Sequence, residues 1–222
     1  MIVAIDGPGG SGKGTVAKDI AIKIDAVYID TGAMYRCVTL EALRENIKID
    51  EIAKIQKLLD YIKIDLKQEN DELKVYLNDE DVSKKIRTEE VSKNTSAYSS
   101  LSIIRKKMVK IQREMAILKD VVMEGRDIGT VVFPNADVKI YLDAKPEERA
   151  MRRFNQNIEK GIESNYDEIL REIKARDYND MTREISPLKK AVDAIYIDST
   201  DLTLEEVTHK ILEIIKNKSI RK

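Results

Sequence analysis

IVAIDGPGGSGKGT, residues 2–15, constrains this chain more tightly than any other stretch. Ile2, Val3, Ala4 and Ile5 form a short apolar run of the kind that makes a buried strand, closing on Asp6. The loop behind them spends five of the chain's nine glycines on residues 7 to 14. Glycine loses more conformational entropy on folding than any other residue, so crowding it here has to serve local geometry. Between a strand and a helical pattern, Gly7-Pro8-Gly9-Gly10-Ser11-Gly12-Lys13 has the spacing of a phosphate-binding loop. Successive backbone N–H groups converge on an anion, the following helix adds its positive end, and Lys13 reaches the outer phosphates of a nucleoside triphosphate. Gly14 stands where serine or threonine is usual, and Thr15 follows. The expected nucleotide-binding set is therefore Gly7 to Thr15, with Mg²⁺ held mainly by phosphates and water, Thr15 and Asp30 close by.

Further along, four more apolar runs recur: Val27–Ile29, Val121–Met123, Val138–Leu142 and Ala194–Ile197. Several of the five end on an acid: Asp6, Asp30, Glu124, Asp143 and Asp198. Helical patterns separate them, which predicts an α/β fold with a five-stranded parallel sheet flanked by helices. Ligands in such sheets gather beyond the carboxyl ends of the strands, where these acids lie. Ile104, Met108, Ile111, Met115 and Leu118 mark the apolar stripe of one long helix. Thr203 and Glu206 form a capping box ahead of the last one.

Residues 63–78 break the rhythm. Ile62, Ile64 and Leu66, then Leu73, Val75 and Leu77, alternate with polar residues around Gln68-Glu69-Asn70-Asp71, which predicts a small antiparallel hairpin in an inserted lobe. A second, polar insert is expected near residues 152–166.

Bulk composition narrows the class. The chain has 222 residues, 42% hydrophobic and 36% charged, with a net charge of −1. That describes an ordered globule without the basic field that draws nucleic acid or anionic lipid. One cysteine, Cys37, excludes an internal disulfide and fits a reducing cytoplasm. No apolar run approaches the roughly 18 residues of a membrane span.

A phosphate loop alone does not separate a kinase from an ATPase or a nucleotide switch. YIDTGAMYR (residues 28–36) places Tyr35 and Arg36 just beyond the second strand, and EGRDIGTVVFP (124–134) places Arg126 and Asp127 beyond the third, between glycines. Arg176, Asp180 and Arg183 continue the helix face of Ile169 and Ile173. A surface ion pair would also explain Arg176 and Asp180, although arginine four residues ahead of aspartate is the weaker order. Against a guanine-nucleotide switch, Asn217-Lys218 continues as Ser219-Ile220 and not into the guanine-reading pattern.

GPGGSGKGT, YIDTGAMYR, EGRDIGTVVFP, EERAMRR and IKARDYNDMTR…SPL occur in order, and together they resemble bacterial cytidylate kinase from Ile2 to about Val207. The resemblance implies the phosphate-loop nucleoside-monophosphate kinase fold. It implies a core of residues 1–35, 96–149 and 166–222, a monophosphate-binding insert at 36–95 holding the small antiparallel sheet, and a short lid at 150–165. The implied reaction is transfer of the γ-phosphoryl group of ATP to CMP or dCMP, with Mg²⁺. Lys13, Arg126, Arg183, Arg152 and Arg153 would be the catalytic cations. Thr31, Tyr35, Arg36, Ser96, Arg105, Arg126, Asp127, Arg176, Asp180 and Arg183 would bind the acceptor. Asp127 would accept from the cytosine amino group while Ser96 and Arg105 donate to the ring; Arg176 and Asp180 would take the ribose. The expected partners are small nucleotides, not nucleic acid or membrane, and the expected state is a cytoplasmic monomer. The competing enzyme reading is a UMP or AMP kinase.

Overall fold

The computed structural model describes residues 1–69 and 72–219. In chain order it forms β1 (Ile2–Asp6), α1 (Lys13–Lys23), β2 (Val27–Asp30), α2 (Thr31–Arg44), α3 (Ile52–Tyr61), β3 (Ile64–Glu69), β4 (Glu72–Leu77), β5 (Glu80–Asp81), α4 (Glu89–Ser100) and α5 (Ser102–Met115). Then follow β6 (Val121–Gly125), β7 (Val138–Asp143), α6 (Pro146–Glu159), α7 (Tyr166–Thr182), β8 (Ile195–Asp198) and α8 (Leu204–Ser219). Two compact units divide the chain: Met1–Tyr28 with Leu118 onward, and Ile29–Ile117.

Among the described residues, the larger sheet has five strands in the order β2-β6-β1-β7-β8. β1 runs parallel to β6 and β7, and β7 parallel to β8. Such strands are covered on both faces, which is why Val3, Ile5, Val122, Ile140 and Leu142 are wholly or almost wholly buried. α1 packs against α8, and their Val16, Ile20, Val207 and Ile211 join that core. The predicted capping box is present: Glu206 accepts from Thr203 N–H at 2.8 Å, and Thr203 Oγ1 accepts from Glu206 N–H at 3.2 Å. No helix among the described residues is long and apolar enough to cross a membrane.

In the smaller unit, α2 packs on α3, α4 and α5 around Met34, Val38, Leu58 and Met108. The hairpin lies where its alternation predicts, β3 antiparallel to β4 with Ile64 opposite Leu77 and Leu66 opposite Val75. A short third strand, β5, extends it. Of the expected turn, Gln68 and Glu69 instead extend β3, paired with Leu73 and Glu72, and Asn70 and Asp71 lie outside the described residues.

Two expectations are corrected. Leu118 does not continue the stripe of α5: the helix ends at Met115, and Leu118 is fully exposed at φ 57° as the chain turns toward β6. The fifth strand is not buried throughout. β8 is a sheet edge, so Ile195 and Tyr196 stay exposed and only Ile197 reaches the core.

Candidate active site

In the larger unit the site grows from the end of β1. Gly7 passes so close to β7 that a β-carbon on it would lie 2.0 Å from the Leu142 carbonyl oxygen. Gly12 has φ 88°, a left-handed conformation that other residues seldom adopt, and α1 starts directly after it. The loop thus brings its backbone amides to a helix N-terminus. Ser11 Oγ is buried there with no partner. Gly14 is not forced by space: a β-carbon would meet Tyr28 Oη at 3.4 Å and Glu124 Oε1 at 3.6 Å.

Lys13 folds back over this loop, its Nζ donating to the Pro8 carbonyl at 3.0 Å and facing Glu124 at 3.6 Å. Burial drives its pKa down to about 8, and Arg126 adds to that; Glu124, Asp6 and Asp180 oppose it. Arg126, just past β6, donates from Nε to Asp180 at 2.9 Å, and Arg183 lies 3.6 Å from the other Asp180 oxygen. Asp180 is therefore shared by two arginines from distant stretches of chain. Burial works against the Arg126 charge, but Asp180 and Glu124 more than offset it and its pKa is raised. Arg126 and Arg176 both flank Gly9, with Arg126 Nη2 3.4 Å and Arg176 Cδ 3.8 Å from the position its β-carbon would take. Asp127 is buried next to Arg126.

Arg152 and Arg153, the expected cations of α6, differ in their surroundings. Arg152 pairs with Glu148 at 3.0 Å and donates to the Ser199 carbonyl at 2.6 Å, tying α6 to the loop after β8. Arg153 is exposed. The arginine that reaches the phosphate loop is Arg149. It donates to the Gly9 carbonyl at 2.9 Å and grips Asp177 of α7 with two bonds, at 3.1 and 2.5 Å. Sequence reasoning missed both Arg149 and Asp177. The run EERAMRR holds three arginines on neighbouring turns, and periodicity does not say which one is buried.

The smaller unit carries its own cluster. Asp30 caps α2, accepting from Ala33 N–H at 2.8 Å, and its other oxygen holds Arg36 at 3.1 Å. Arg36 Nε is buried without a partner. The Arg105 guanidinium lies over the Tyr35 ring, 5.1 Å from its centroid, and donates to the Ser99 carbonyl at 3.0 Å. Thr31 is buried at the start of α2 and Ser96 half-buried on α4. Cys37 is buried in α2, and its burial pushes the thiol pKa up to about 12, so it is a packing residue. Among the described residues, no three or more His, Cys, Asp or Glu side chains are grouped to hold a metal ion.

A phosphate-type loop leaving the central strand of a five-stranded parallel sheet defines a class, the α/β proteins built on such a loop. Two solved structures share the fold: a protein from Eubacterium ventriosum ATCC 27560 (TM-score 0.53, 15% identity, covering 97% of this chain and 98% of that one) and a shikimate kinase from Bacteroides thetaiotaomicron (TM-score 0.50, 13% identity, covering 97% and 98%). Sequence comparison narrows the class. A family model described as cytidylate kinase matches residues 3–217, and the chain belongs to that family. Cytidylate kinases from Lactobacillus johnsonii, Fusobacterium nucleatum subsp. nucleatum and Bacillus subtilis are 54%, 52% and 48% identical to it. These matches cover 98%, 97% and 99% of this chain and 95%, 97% and 98% of the relatives.

Proposed function

We propose that this protein transfers the γ-phosphoryl group of ATP to CMP or dCMP, forming ADP and CDP or dCDP. The observation that carries the reading is Asp180 holding Arg126 and Arg183 as an arginine pair, in the unit where Lys13 starts the helix behind a phosphate-type loop. Phosphoryl transfer asks a protein for alignment and positive charge, since the acceptor phosphate supplies the attacking oxygen. Gly7 to Thr15 seat the triphosphate of ATP. Lys13, Arg126 and Arg183 offset the charge that develops between the two nucleotides, with Arg152 and Arg153 turning to the donor phosphates. Arginine suits this because its planar fork takes phosphate oxygens two at a time.

The acceptor falls to Thr31, Tyr35, Arg36, Ser96, Arg105, Arg126, Asp127, Arg176, Asp180 and Arg183. Arg36 and Arg126 take its phosphate, Arg176 and Asp180 its ribose, and Ser96, Arg105 and Asp127 its base. Uracil would turn an oxygen toward the Asp127 carboxylate, and an unpaired buried polar group costs about 1–3 kcal/mol, which supports discrimination of roughly 5–150-fold. Mg²⁺ fits this chain as a companion of the nucleotide, because Thr15 is an exposed hydroxyl beside the loop and both Asp30 oxygens already accept hydrogen bonds. Thr15 would hold it, with Asp30 through water; when bound, the metal neutralises phosphate charge. Segments 36–95 and 150–165 serve as acceptor lobe and lid, and gain hydrogen-exchange protection with CMP and with ATP respectively. The protein works as a cytoplasmic monomer on free nucleotides.

The test is turnover with ATP across CMP, dCMP, UMP, AMP and GMP, read by coupled ADP release. CMP or dCMP should lead; a preference for AMP or UMP overturns the proposal.

A further inference from the structure

Asp6 ends β1 just before the phosphate loop, yet its carboxylate serves a distant segment. Its side chain is buried, and its two oxygens are divided between two consecutive amides. Oδ1 accepts from Ile128 N–H and Oδ2 from Gly129 N–H, both at 2.7 Å. Those amides open the single wide turn Ile128–Val132, directly after Arg126 and Asp127. The same turn closes on the Asp127 carbonyl, which accepts from Val131 N–H at 2.8 Å and Val132 N–H at 3.1 Å. Space at Gly129 is tight: a β-carbon there would lie 3.2 Å from Lys139 Cδ and 3.3 Å from Asp6 Oδ2.

We propose that Asp6 is a positioning residue that sets Arg126 and Asp127 for the acceptor nucleotide, joining the strand of the phosphate loop to the turn that reads the base. The proposal rests on the cytidylate reading above. Two N–H donors need two acceptor oxygens, and only an ionised carboxylate offers both. An added proton, or an amide in its place, turns one acceptor into a donor aimed at a donor, and the turn slackens where Asp127 leaves it.

The surroundings keep this balance delicate. Burial pushes the Asp6 pKa up to about 7; the two amides and Lys13 hold it down, and Asp127 pushes it up. On β7, Tyr141 stands opposite Asp6, and the Lys139 stem passes beside Gly129 with its Nζ bound to Asp193 and the Pro134 carbonyl. On β6 the nearest charged group is Glu124, facing Lys13.

Asp6→Asn is the informative variant. Its kcat/KM for CMP should fall roughly ten- to hundredfold, mostly through KM, and its preference for CMP over UMP should shrink. The Kd for ATP by titration calorimetry should stay within about threefold, since the phosphate loop keeps its own bonds. In the native protein, the amide ¹⁵N–¹H signals of Ile128 and Gly129 should titrate together between about pH 5.5 and about pH 8.5, and Asp6→Asn should abolish that titration. The acid limb of kcat/KM for CMP should lose the same component in the variant, leaving only the substrate's own ionisation. An unchanged CMP-to-UMP ratio in a folded Asp6→Asn protein overturns the proposal, as do Ile128 and Gly129 amide signals that stay at their native positions in that variant. A native protein inactive on CMP refutes the functional reading instead, and the shift of the Ile128 and Gly129 amide signals in Asp6→Asn then decides for or against Asp6 as the holder of the turn.

Discussion

Replacing Asp177 with alanine strips one side from an ion pair that solvent barely reaches. Arg149 and Asp177 meet through two parallel bonds, and their side chains are 3% and 11% exposed. Two further guanidinium N–H groups serve the Ala144 carbonyl at 2.8 Å and the Gly9 carbonyl at 2.9 Å. With the carboxylate gone, Arg149 keeps neutral acceptors but no counter-charge. Removing one partner of such a pair costs about 3–5 kcal/mol. In a chain of this size each kcal/mol moves the melting temperature by roughly 2–4 °C, so the expected fall is about 6–20 °C. Arg149→Met with Asp177→Leu replaces both charges by apolar groups and should recover all but about 1–2 kcal/mol. Thermal and urea melts of the native protein, Arg149→Met, Asp177→Leu and the double variant give the coupling directly. The single variants should also bind ATP more weakly, because Arg149 holds the Gly9 carbonyl. A loss below about 1 kcal/mol for Asp177→Ala, or a double variant equal to the sum of the singles, refutes the reasoning.

Lys13 should titrate in the free protein near pH 8, so its charge is held below that pH and lost above it. Bound triphosphate raises its pKa, so Lys13 takes up about half a proton on ATP binding at pH 8, where the ATP phosphates are already ionised. Calorimetry in buffers of different ionisation enthalpy checks this, and no uptake at pH 8 contradicts it. Gly7→Ala forces a β-carbon into the Leu142 carbonyl, and overpacking of this kind costs about 1–3 kcal/mol, whereas Gly161→Ala, with φ 67° and open space, should cost about 1 kcal/mol. Urea denaturation compares the two. Asp180→Ala frees both Arg126 and Arg183, so CMP and dCMP should each lose turnover, CMP by roughly three- to tenfold more; equal losses in steady-state kinetics exclude Asp180 from the ribose.

The residues most readable from the chain alone were those whose reasons are local. The strand before the loop, the glycine spacing, the alternation of the hairpin and the Thr203–Glu206 box all depend on neighbours within a few positions, and each is found where it was expected. Local pattern failed where long-range packing intervened. Leu118 kept the helical spacing, but the chain had already turned toward β6. Ile195 and Tyr196 looked like a buried strand until β8 took the sheet edge, where a covering neighbour on one side is lacking.

The site divides the same way. Glycines, Lys13 and the arginine-bearing motifs stand out in one dimension because phosphate chemistry demands those residue types close together. Which charges pair does not. Asp180 joins Arg126 across 54 positions, Arg149 reaches Asp177 across 28, and Asp6 reaches Gly129 across 123. A buried charge must find its partner in space, and three arginines in one helical run look alike until packing removes water from one of them. Composition and spacing thus specify a phosphate-handling α/β chain, while burial, which exists only once the layers close, selects Arg149, Asp177 and Asp6 from their equivalents on the surface.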